Sequence, residues 1–181
     1  QALRFLAGSQ TLQIRRWSLP ALTASLVLSA IGLPSLLAQE AAPAWPGWRG
    51  PNGNGIAAAQ DVPPPVAFGP EKNVLWKASI PGRGHSSPIV VGNLVMLTTA
   101  DESRQTQSVL AYDRQTGELA WQRDLHEGGF NPKIHPKNTH ASCTLASDGK
   151  HVYAVFNNRK SIVVSKLSLS GKVVWQKPAG A

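Results

Sequence analysis

Three of the five histidines in this 181-residue chain fall within one stretch, at His126, His135 and His140. Neutral imidazoles can ligate a metal or move a proton near neutral pH. The intervals of nine and five residues match no compact metal motif, and Pro132 and Pro136 impose a stiff path. No metal site is expected from them. The stretch 125–140 has no strand or helix pattern, and connections this long in compact domains are often functional. His85 lies in a shorter link, Pro81 to Ser86. Arg83, His85, Lys137, Asn138 and His140 are expected to meet a polar ligand or a protein partner. The alternative is a loop ordered only by its own hydrogen bonds.

Other chemistry is poorly supported, and no catalytic residue is assigned. Ser86 and Ser87 follow His85, but adjacent strand residues point to opposite faces, so they make no nucleophile and base pair. No glycine-rich phosphate loop precedes a helix. The run Asn52-Gly53-Asn54-Gly55 looks like a calcium loop until its lack of carboxylates is noticed. Cys143 is the only cysteine and cannot form an intrachain disulfide; its place at an inner strand predicts a small buried apolar role.

Eighteen Lys and Arg against ten acids give a net charge of +8, which becomes about +5 without the first 38 residues. The cations are scattered singly, so no basic stripe for nucleic acid is present.

The elements that must position these groups are short strands. Leu110 and Tyr112 lead into a turn at Asp113–Gly117, and Leu119 and Trp121 lead out. Asp113 and Thr116 can accept backbone hydrogen bonds across that turn, and Gly117 can take a positive φ. Gly171 and Trp175 repeat the spacing 54 residues later, without the Asp and Thr, and Trp76 ends a similar outgoing strand 45 residues earlier. A period of this size marks a repeat architecture. Four strands are expected in each unit: Ser87–Val91, Leu94–Thr99, Val109–Asp113 and Leu119–Arg123, then Ser142–Ala146, His151–Phe156, Ile162–Leu167 and Val173–Gln176.

The pattern Ala111-x-Asp113-x-x-Thr116-Gly117-x-x-x-Trp121 resembles the tryptophan-docking motif of the pyrroloquinoline-quinone (PQQ)-like β-propeller family, within the quinoprotein alcohol dehydrogenase-like superfamily. The resemblance implies an all-β propeller of four-stranded blades, with about two blades and one closing strand, Val74–Ile80, in this sequence. It also implies that each Trp stacks between neighbouring blades. The opening Trp45-Pro46-Gly47-Trp48-Arg49-Gly50-Pro51-Asn52-Gly53 is similar to segments that precede many exported propellers of this kind.

The superfamily holds quinoprotein dehydrogenases and also propellers that bind no quinone, among them the propeller lipoprotein of the outer-membrane barrel-assembly machine. The enzymes generally carry an adjacent cysteine pair and a Glu, Asn and Asp set around the cofactor. One cysteine and no such set favour a noncatalytic binding or scaffold module with no cofactor. PQQ with calcium belongs to the alternative, a dehydrogenase.

Residues 1–38 hold Arg4, Arg15, Arg16, no acid, and a mostly apolar run from Leu19 to Ala38, the anatomy of a secretory signal peptide. The competing reading is a membrane anchor, although Pro20 and Pro34 interrupt the run. Export to the periplasm or the cell exterior is expected, with no stable membrane insertion after cleavage. The parts are then a signal at 1–38, an irregular Pro- and Gly-rich segment at 39–71, and repeats at 72–181, with blades at 81–125 and 141–178. Gln1 in place of Met, and an end six residues after Trp175, predict a fragment of a longer propeller of roughly six to eight blades, poorly stable alone.

Overall fold

The computed structural model describes residues 44–57 and 64–180; the signal-like stretch 1–38 lies outside them. Alternating apolar residues and turn-forming Gly, Asn and Asp produce eight strands: β1 Ile89–Val91, β2 Leu94–Asp101, β3 Thr106–Asp113, β4 Leu119–Glu127, β5 Ala146–Ser147, β6 His151–Asn158, β7 Ser161–Ser168 and β8 Val173–Gly180. They make two antiparallel four-stranded sheets, ordered β1-β2-β3-β4 and β5-β6-β7-β8. Each sheet is a meander in chain order, the form of a propeller blade.

One apolar core joins the blades. Ile89, Met96, Val109 and Ala111 of the first blade share it with Val152, Ala154, Phe156 and Leu167 of the second. Ala111 is fully buried and pairs with Trp121 across the β3–β4 ladder. The inner edges are tied by the opening segment: Trp45 exchanges backbone hydrogen bonds with Val90 at 2.8 and 2.9 Å, and the Pro46 carbonyl accepts from the Ser147 amide at 2.8 Å.

The turn at Asp113 is locked by its carboxylate, whose Oδ1 accepts from the Gln115 and Thr116 amides at 2.8 and 2.9 Å. These backbone donors, Thr116 first, hold the Asp113 carboxyl below the usual carboxylate range. On the turn rests Trp76, with its indole Nε1 donating to the Arg114 carbonyl at 2.8 Å. Trp121 makes the corresponding contact on the second blade, donating to the Leu169 carbonyl at 2.9 Å. Gly117 and Gly171 have φ of 75° and 80°, and a Cβ there would sit 2.5 Å from the Trp76 ring and 2.8 Å from the Trp121 ring. The second turn lacks Asp and Thr, yet it receives its indole in the same way because both partners are backbone.

Val74–Ile80, expected to close the ring against strands beyond Ala181, has no ladder among the described residues and is fastened by side chains, through Trp76 and through Tyr112 Oη donating to the Ser79 carbonyl at 3.2 Å. One strand expectation is corrected. The strand expected at Ser142–Ala146 shrinks to Ala146–Ser147. Residues before it are drawn into loop bonds: Ser142 Oγ donates to the Thr139 carbonyl at 2.9 Å, and Thr144 Oγ1 accepts from the Ser87 amide at 2.9 Å.

Candidate functional site

The long connection leaves β4 and returns to β5 with both ends fixed by buried amides. Gln107 on β3 is fully buried, and its Nε2 donates to the His140 carbonyl at 2.8 Å and the Asn157 carbonyl at 3.1 Å. Its Oε1 accepts from Asn158 Nδ2 at 3.1 Å, and the same nitrogen donates to the Gly128 carbonyl at 2.8 Å. Buried amides stay only where such partners exist. Two side chains thus clamp both loop ends to both blades. Sequence reading missed Gln107, which stands between Thr106 and Ser108 at the polar start of β3 and carries no local signal that sets it apart.

The five expected binding residues divide. Arg83 is exposed while its backbone pairs with Ala100 at 2.8 and 3.1 Å, which carries the short link along the end of β2. His85 is exposed, and its amide donates to the Ala141 carbonyl at 3.0 Å, so the two links lie side by side. Lys137 is exposed in a turn held by its own amide donating to His135 Nδ1 at 3.1 Å. Asn138 is occupied internally, its Oδ1 accepting from the Thr139 amide at 2.9 Å and from Ser142 Oγ. The His140 ring is half-buried and stacks on Phe130, with centroids 4.2 Å apart at 30°. Among the described residues, no three or more of His, Cys, Asp and Glu converge as metal ligands would.

Two hollows open beside the links and meet at Ser142, Cys143 and Val155. The smaller, about 150 Å³, lies beneath the long loop at Asn131, Asn138, His140 and Asn157. The larger, about 510 Å³, lies at the inner strand ends between Trp48, His85, Ser87 and Thr144. Cys143 is exposed here, contrary to the buried role expected of it, because it precedes β5. Calcium binds six to eight oxygens, with carboxylates commonly among them. Among the described residues neither hollow is lined by a carboxylate, so the donors described there do not fit a calcium-held quinone.

His126, at the start of the loop, packs edge-on against Phe156 at 5.8 Å, and its Nε2 is buried with no hydrogen-bond partner among the described residues. Burial first, and the Arg159 cation second, push its pKa below the ordinary 6.5. The unfolded chain therefore binds more protons than the folded one between that lowered value and about 6.5, and stability falls as pH drops through this window. Thermal midpoints measured from pH 8 to pH 5 are expected to fall less for His126→Gln than for the unaltered protein. Parallel profiles would remove His126 as the cause.

Two consecutive four-stranded meanders, locked by Trp-on-Gly contacts and roofed by loops at one end, define a β-propeller repeat protein. A family model described as outer membrane protein assembly factor BamB matches residues 38–181, and the chain belongs to this PQQ-like repeat family. No curated protein matches it. Among the described residues no helix is long and apolar enough to cross a membrane.

Proposed function

We propose that the chain belongs to an exported, noncatalytic propeller that binds a protein partner or a polar ligand on the face formed by the two links. The observation that carries this reading is the clamped loop: Gln107 and Asn158 fix its ends, Lys137 stands exposed on it, and Arg83 and His85 stand exposed on the short link beside it. A surface ordered before binding loses less entropy on association than a floppy one. Loops on rigid scaffolds are also where binding residues concentrate. The family description, an outer-membrane assembly factor, favours a protein partner and a place in the cell envelope.

Photo-crosslinking residues placed at Arg83 and Lys137 in the full-length protein, in cells, are expected to trap a discrete species. The same residue at Lys172, in the turn between β7 and β8, serves as the control. Equal capture at all three positions, or none at the links, overturns the reading. Saturable binding of PQQ with calcium, followed by calorimetry, would replace it with the dehydrogenase.

A further inference from the structure

The larger hollow has a floor and rim that go beyond a generic binding face. Trp48 is 67% exposed, unusual for so large an apolar side chain. The Arg49 guanidinium lies 5.7 Å from its ring centroid and donates to the Asn54 carbonyl at 3.5 Å. An exposed guanidinium over an indole contributes about 0.5–1 kcal/mol. The segment carrying Trp48 is anchored by the bonds of Trp45 and Pro46 to the inner strands of both blades.

Among the described residues, the apolar Val155 and Cys143 line this hollow together with the polar His85, Ser87, Ser142 and Thr144. Thr144 Oγ1 accepts from the Ser87 amide at 2.9 Å, which leaves its hydroxyl proton to donate elsewhere. Ser87 Oγ and the ring of the exposed His85 have no hydrogen-bond partner among the described residues. Among the described residues no carboxylate or ammonium lines the hollow, and the Arg49 guanidinium lies beside it over the Trp48 ring. Its volume, about 510 Å³, falls within the roughly 300–1,000 Å³ of small-molecule sites.

We propose that this hollow is a subsite for a neutral saccharide, with Trp48 as the stacking platform and His85, Ser87 and Thr144 as hydroxyl partners. The C–H face of a pyranose ring carries partial positive charge and packs on the negative face of an indole. Its hydroxyl rim needs groups that both donate and accept, which Ser and Thr hydroxyls and a neutral imidazole supply. An anionic ligand would find, among the described residues at the platform, only the Arg49 guanidinium, which already lies over the indole and bonds the Asn54 carbonyl, and a purely apolar ligand would leave the hydroxyls unpaired. The inference rests on the binding-module reading and names a ligand class for part of its face.

The test titrates full-length protein, with its tryptophan indoles ¹⁵N-labelled, with maltotetraose, cellotetraose and chitotetraose, and with tetragalacturonate as the charged control. Saturable shifts of the Trp48 indole signal are expected with at least one neutral oligosaccharide and not with the acid. Trp48→Ala should weaken binding about tenfold or more. Trp48→Phe should retain part of it, and Ser87→Ala should weaken it without moving the thermal midpoint. No saturable binding of any neutral oligosaccharide, or equal affinity in a folded Trp48→Ala variant, overturns the subsite. A partner still trapped at Lys137 in a protein that binds none of the three would sink this inference and leave the binding-module reading standing.

Discussion

Gly171→Ala is expected to lower the thermal midpoint by about 10 °C. Two costs combine. A non-glycine residue at φ 80° carries about 1–2 kcal/mol of backbone strain. The new methyl would also lie 2.8 Å from the Trp121 ring, whose Nε1 is held by the Leu169 carbonyl and cannot slide away freely. Overpacking of this kind costs about 1–3 kcal/mol. The total is about 3 kcal/mol, and a chain of this size loses about 3 °C per kcal/mol. Gly149→Ala separates the two terms: φ there is 84°, but nothing lies within 4 Å of the added carbon. It should cost only the strain, about 3 °C. Equal losses at the two positions would show that the Trp contact adds nothing to the joint between blades.

That joint was readable because it is local at each end. Gly and Trp recur at fixed spacing, and the resemblance to the docking motif implied that each Trp stacks between blades; that Trp121 meets Gly171 and the Leu169 carbonyl is seen only in the structure. The eight strands were readable for the same reason: alternation and turn residues are properties of a few neighbours. What depends on distant chain was misjudged: the strand expected at Ser142–Ala146 is reduced to Ala146–Ser147. Cys143 was placed in a strand by counting from the first blade, but Ser142 and Thr144 are taken up by bonds to Thr139 and Ser87. Its exposure follows from that diversion.

Residue type and loop length mark candidate residues without showing what surrounds them. Arg83, His85 and Lys137 were marked by residue type and loop length, and they stand exposed. Asn138 and His140 carried the same marks, yet one holds the turn and the other stacks on Phe130. Polar residues in a loop look alike in sequence whether they face solvent or neighbours. Nor could a sequence show that Trp45 pairs with Val90, which sets Trp48 beside the inner strands. Gln107 is harder still to read, because its three side-chain partners, the His140 and Asn157 carbonyls and Asn158 Nδ2, come from two distant stretches of chain.

Removing Gln107 should free the loop while leaving the far end of the blade intact. Gln107→Leu keeps the bulk but strips the donors from the His140 and Asn157 carbonyls and the acceptor from Asn158. Buried groups left unpaired cost about 1–3 kcal/mol each, so a loss of about 2–4 kcal/mol is expected. Amide hydrogen exchange shows where it falls. The His85 amide, bonded to the Ala141 carbonyl, and the Arg159 amide, bonded to the Gly129 carbonyl, should exchange about tenfold faster or more. The Asp113 amide, bonded to the Glu118 carbonyl at the opposite end of β3, should change far less. Gln107→Glu sharpens the test, since at neutral pH it sets a carboxylate against two carbonyl oxygens in a dry site. It should be less stable than Gln107→Leu at pH 7 and recover relative to it as acid protonates the carboxyl, which can then donate to one carbonyl. Equal acceleration at all three amides in Gln107→Leu would mean that Gln107 supports the blades as a whole, and the loop would lose its claim to be a separately clamped platform.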